Sequence, residues 1–158
     1  VLSMVRQALG VEEDLGLRWL GYFRYDSEFA EFLAALETKP TEEAATICRG
    51  LRAKSPKALS EGVVNSGGYE LLRGGDSDKA IAVFTLNMEA HPTSARARNS
   101  LAEAYERSGN NGLAAEYYQK ALDAIPTDRT RDEASKKKLK DTVQENLERM
   151  KKARSSAR

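Results

Sequence analysis

The chain has 158 residues, 31% charged and 41% apolar, which is enough for a real hydrophobic core and ordinary for a helical domain. No apolar run approaches the roughly 18 residues needed to cross a bilayer. A single cysteine, Cys48, excludes an intrachain disulfide, and one histidine, His91, with one cysteine is too little for a metal site or catalytic triad.

The opening segment VLSMVRQALGVEED lacks the basic stretch and continuous apolar run of a secretory signal, and the lone thiol suits a reducing, cytoplasmic setting. Starting at Val1 rather than Met is what a fragment or processed product would show. The segment LGLRWLGYFRYD reads as an amphipathic helix, with a short strand as the alternative. Its cluster of Trp19, Tyr22, Phe23 and Tyr25 is core packing or a partner-contact patch. Asp26 or Ser27 can cap a helix carrying Phe29, Phe32, Leu33 and Leu36 on one face. Thr41 can cap a second helix, with Pro40 just outside it and Ala45, Ile47, Cys48 and Leu51 inward. Cys48 thus reads as a buried thiol, and Glu42-Glu43, like Glu12-Glu13, as first-turn charges favoured by the helix dipole. Ser55-Pro56 breaks the chain before Leu59, so residues 1–60 form an N-terminal helical region.

From residue 61 the chain repeats itself. Gly68, Leu71, Gly75, Ala80, Phe84 and Pro92 recur 34 residues later as Ala102, Tyr105, Gly109, Ala114, Tyr118 and Pro126. Each position has a physical reason. Gly68 and Ala102 are small so that the first helix of a hairpin can lie close to the second. Gly75 and Gly109 close the first helix where a left-handed residue costs glycine least. Ala80 and Ala114 are small again at the close approach of the second helix, and Phe84 and Tyr118 fill the volume between hairpins. Pro92 and Pro126 end the second helix, and Asp76 or Ser77, with Asn110 or Asn111, can cap it.

This pattern resembles the tetratricopeptide repeat over residues 61–126, and the resemblance implies an all-α chain of stacked helical hairpins. The first unit departs from the family at Gly67, where a bulky aliphatic is usual, and at Asn87, where alanine is usual. Gly67 and Gly68 together should weaken their helix by about 1 kcal/mol each. The stretch from Val83 to Leu122 is also similar to repeats that close the C-termini of some bacterial hydrolases.

Two repeats bury their faces only against neighbours, so the flanks must supply the rest. Downstream, Leu139, Val143, Leu147 and Met150 form one narrow apolar stripe on an otherwise charged helix, as a solenoid cap requires. Residues 127–158 are therefore read as a C-terminal capping helix with a basic tail, its last residues ARSSAR frayed. The net charge of +1 hides an imbalance, because residues 129–158 hold eleven Lys or Arg against five Asp or Glu. These charges interleave with the apolar stripe and lack aromatics for base stacking, which favours a solvated helix face over nucleic-acid binding.

The resemblance implies a protein-binding scaffold whose first helices line a groove. Projecting the family's groove positions gives Asn65, Tyr69 and Leu72 in the first unit and Arg96, Asn99, Glu103 and Glu106 in the second. Asn65 and Asn99 can each pair with a peptide backbone through a donor and an acceptor. Glu103 and Glu106 would repel a carboxylate, so a neutral or basic protein segment is the expected partner. The alternatives are an accessory or homo-oligomerising domain of a larger hydrolase, or solvated helix faces with no ligand. An enzyme is not expected: no Gly-x-Ser-x-Gly, phosphate loop or metal-ligand pair is present, and neither a cofactor nor a membrane is called for.

Overall fold

The computed structural model describes residues 27–156. The helix-or-strand reading of LGLRWLGYFRYD, the aromatic cluster at Trp19 to Tyr25 and the Asp26 cap lie outside these residues, as does the final Ala157-Arg158. The described residues fold as α1 (Ser27–Thr38), α2 (Thr41–Lys54), α3 (Glu61–Arg73), α4 (Ser77–Ala90), α5 (Ala95–Arg107), α6 (Asn111–Ala124), a 3-10 turn (Ile125–Thr127) and α7 (Glu133–Ser156), with no strand among them. They divide into two compact units inside α3, between Val63 and Val64.

In the first unit α1 packs on α2. Phe29, Phe32, Leu33 and Leu36 of α1 are all buried, as are Ala44, Ala45, Cys48 and Leu51 of α2. Ile47 is half-buried, because the inward stripe runs through Ala44 instead. Thr41 does not cap α2. Pro40 holds that position with φ −54°, its carbonyl accepting the Ala44 N–H at 3.1 Å, and no side chain caps the helix. The ring fixes a φ suited to helix entry, and Glu42 and Glu43 in the first turn complement the open N–H groups. At the other end of α2, the Ser55 hydroxyl donates to Glu28 at 2.7 Å, tying it to the start of α1.

In the second unit α4 packs on α5, α5 on α6, and α6 on α7. Both first helices stop in the same way. Gly75 and Gly109 take φ of +83° and +79°. Around them, the Asp76 N–H reaches the Leu71 carbonyl and the Asn110 N–H the Tyr105 carbonyl, each at 2.9 Å. This left-handed closure satisfies carbonyls that the helix end would leave open. The following helices begin on Asp76 and Asn110, whose side chains accept the backbone N–H three residues on. α7 starts on Asp132, which accepts the Ser135 N–H at 2.7 Å.

The small residues sit where contact is closest. A Cβ on Gly68 would lie 2.4 Å from the Phe84 ring, and Phe84 is fully buried. In the second hairpin Ala102, Ala114, Ala115, Tyr118 and Ala121 form one core with Val143, Leu147 and Met150 of α7, and Leu139 packs at its edge. The apolar stripe of α7 thus covers a surface that another hairpin would otherwise cover. No helix among the described residues is long and apolar enough to cross a membrane.

Candidate functional site

The face of α3 and α5 is built on equivalent positions of the two hairpins. Asn65 and Asn99 occupy one position 34 residues apart, Tyr69 and Glu103 the next turn, and Leu72 and Glu106 the turn after. Four of these side chains are joined by hydrogen bonds. The Tyr69 hydroxyl donates to Glu103 Oε2 at 2.9 Å, and Asn99 Nδ2 donates to Glu103 Oε1 at 2.7 Å. Ser100 completes the network, its hydroxyl donating to Asn65 Oδ1 at 2.6 Å and lying 3.2 Å from the Tyr69 hydroxyl. These bonds also tie α3 to α5.

Burial hardens this network. Asn65 is 1% exposed, Asn99 6% and Ser100 fully buried. Burial, and then the negative charge of Glu103, push the Tyr69 phenol well above its usual range, so it stays protonated and donates. The charge of Arg96 opposes that rise weakly. The Tyr69 ring is held edge-on against Phe84, centroids 5.2 Å apart. One atom is left over: Asn99 Oδ1 is buried and has no hydrogen-bond partner among the described residues. A buried acceptor without a donor costs about 1–3 kcal/mol.

The other two projected residues sit elsewhere. Leu72 is buried, 7% exposed, and belongs to the core. Glu106 turns to the end of the unit, where Arg149 of α7 donates to both its oxygens at 2.6 and 2.9 Å and the Tyr118 hydroxyl donates at 2.6 Å. Burial and then this bond to Glu106 push the Tyr118 phenol far up. Arg149→Ala should therefore lower the melting free energy by about 0.2–1 kcal/mol, the range for an exposed pair. The loss should shrink in high salt, as read by urea melts at two ionic strengths.

Ser100 was not among the projected residues, although a sequence signal for it exists. Asn-Ser recurs as Asn65-Ser66 and Asn99-Ser100, but Ser66 is exposed, so the repeat alone does not say which serine turns inward.

Residues 66–129 match the family profile of the tetratricopeptide repeat. These hairpins are tetratricopeptide repeats. Among solved structures, the chain is similar to the Sgt2 tetratricopeptide domain from Aspergillus fumigatus, at 19% identity and TM-score 0.52, over 84% of this chain and 80% of that one. It is also similar to PcrH in complex with the chaperone binding region of PopD, at 12% identity and TM-score 0.55, over 91% of this chain and 99% of that one. At these identities the likeness is one of fold. No curated protein matches the chain in sequence. The expected similarity to hydrolase C-termini finds no support in these comparisons. Among the described residues, no group of His, Cys, Asp or Glu is gathered in a way that could hold a metal.

Proposed function

We propose that this tetratricopeptide chain is an interaction scaffold that holds an extended or helical segment of a partner protein on the face of α3 and α5. The observation that carries the reading is the Asn65–Ser100–Tyr69–Glu103–Asn99 network, which sets the half-buried Tyr69 and Glu103 side chains side by side on this face. A network tying two repeats together explains stability. Its partly exposed members, Tyr69 and Glu103, leave a polar surface that a ligand can reach. The PcrH structure, held with the chaperone binding region of PopD, supports the reading, because there a similar fold holds a segment of another protein. No catalytic step is assigned, since binding requires none of these groups to exchange a proton or form a bond.

The test is a pull-down from lysate of the source organism with the wild-type chain and the Asn65→Ala, Tyr69→Ala, Asn99→Ala variant. Circular dichroism must first show equal helicity, and the milder Asn99→Ala variant stands in if the triple change unfolds the chain. A partner retained by the wild type and lost by the variant is expected. The same partner on both chains would move recognition off this face.

A further inference from the structure

α5 carries two half-buried carboxylates one turn apart, and they are treated differently. Glu106 is neutralised by the Arg149 guanidinium, which grips both its oxygens. Glu103 is held by two neutral donors, Tyr69 Oη and Asn99 Nδ2, which orient its oxygens without cancelling the charge. Among the described residues no Lys, Arg or His lies within ion-pair distance of Glu103, although the charge of Arg149 is felt there.

We infer that the partner segment carries an arginine or lysine whose cationic head docks on Glu103. The inference rests on the function proposed above and names the chemistry of its ligand. Both Glu103 oxygens are acceptors and both are fixed in place, Oε1 by Asn99 Nδ2 and Oε2 by the Tyr69 hydroxyl. Only a group that is all donor satisfies such a set. A guanidinium brings five N–H donors and an ammonium three, with no acceptor to clash. A carboxylate ligand would face the Glu103 charge at close range. A neutral backbone N–H would leave the Glu103 charge unpaired in a half-buried site. The pre-set geometry also matters, because a carboxylate already fixed by Tyr69 and Asn99 loses little freedom when the cation arrives.

The experiment uses the full chain, immobilised, against a bead library of ten-residue peptides degenerate at every position. Three chains are compared: wild type, Glu103→Gln and the Asn65, Tyr69, Asn99 triple alanine variant. Glu103→Gln keeps the size of the side chain and still accepts the Tyr69 hydroxyl, and a thermal melt checks that it folds. The wild type should enrich Arg or Lys at one position, and the selected peptide should bind Glu103→Gln roughly tenfold more weakly. Which of the two cations wins also tells a forked, planar head from a point charge. Peptides enriched without a basic preference, or a basic preference unchanged in Glu103→Gln, would overturn the inference while leaving the face as the binding surface. If the wild type enriches nothing, or the triple variant enriches the same peptides, both the inference and the proposed function fall.

Discussion

Phe84→Ala is expected to destabilise the repeat unit by about 3–5 kcal/mol, the range for truncating a fully buried aromatic. Phe84 is 0% exposed, and its ring is wedged between Gly68 and the edge-on ring of Tyr69. Removing it leaves a cavity in the first hairpin and frees the Tyr69 ring, so the polar network on the α3–α5 face should loosen as well. A second substitution isolates the packing contribution. Gly68→Ala alone puts a Cβ 2.4 Å from a ring that has nowhere to go, and such overpacking costs about 1–3 kcal/mol. Against this, alanine improves helix propensity by about 1 kcal/mol. In the Phe84→Ala background the clash is gone, so the same substitution should become neutral or stabilising. Urea unfolding of the four chains in this cycle gives the coupling directly. Strict additivity would mean that the close approach of α3 to α4 is not what keeps residue 68 a glycine.

The second large effect is expected at Asp128, a fully buried carboxylate. Its Oδ2 accepts the Ala95 N–H at 3.0 Å, which closes the first turn of α5 from 33 residues away. Its Oδ1 accepts from the Thr130 N–H at 2.8 Å and the Thr130 hydroxyl at 2.6 Å. Asp128→Ala removes both acceptor oxygens and with them three hydrogen bonds, and strands a buried N–H, for a loss of about 2–3 kcal/mol. Asp128→Asn keeps the volume and one acceptor oxygen, so it should lose less. The pH dependence follows from the same contacts. Burial pushes the carboxyl up, but the hydrogen bonds from Thr130 and Ala95, with the charge of Arg131, hold it on balance below its usual value. A carboxyl whose folded pKa is depressed stabilises fully above the unfolded value near ~4 and loses that contribution as pH falls through the folded one. Wild-type stability should therefore drop on acidification below about pH 4, and Asp128→Ala should show less of that drop. Equal acid sensitivity in both chains would show that other carboxyls carry it.

The hairpins were legible because each consensus position answers to a local or nearest-neighbour constraint. Gly75 and Gly109 need left-handed backbone, Asp76 and Asn110 need a side-chain oxygen at a helix start, and the α7 stripe needs an apolar face at helical spacing. Such requirements are written into residue type and spacing. The start of α2 was misread at Thr41 because hydroxyl and proline compete for neighbouring positions, and only backbone geometry shows that Pro40 holds the cap.

The candidate site divides along the same line. Asn65, Tyr69, Asn99 and Glu103 could be named by projecting the family's groove positions onto the sequence, and the 34-residue period pairs them across α3 and α5. The period could not separate Glu103 from Glu106, nor Leu72 from Tyr69. Those differences depend on which side chains arrive from far along the chain: Arg149 and Tyr118 to claim Glu106, Ser100 to link Asn65 with Tyr69, Asp128 to close α5. By itself, then, the sequence determined the helices of the described residues, most of their ends and the repeat, because those follow from short-range backbone chemistry and periodic burial. Only the tertiary structure decided which carboxylate is neutralised and which stays available, because charge pairing depends on distance in space and not along the chain.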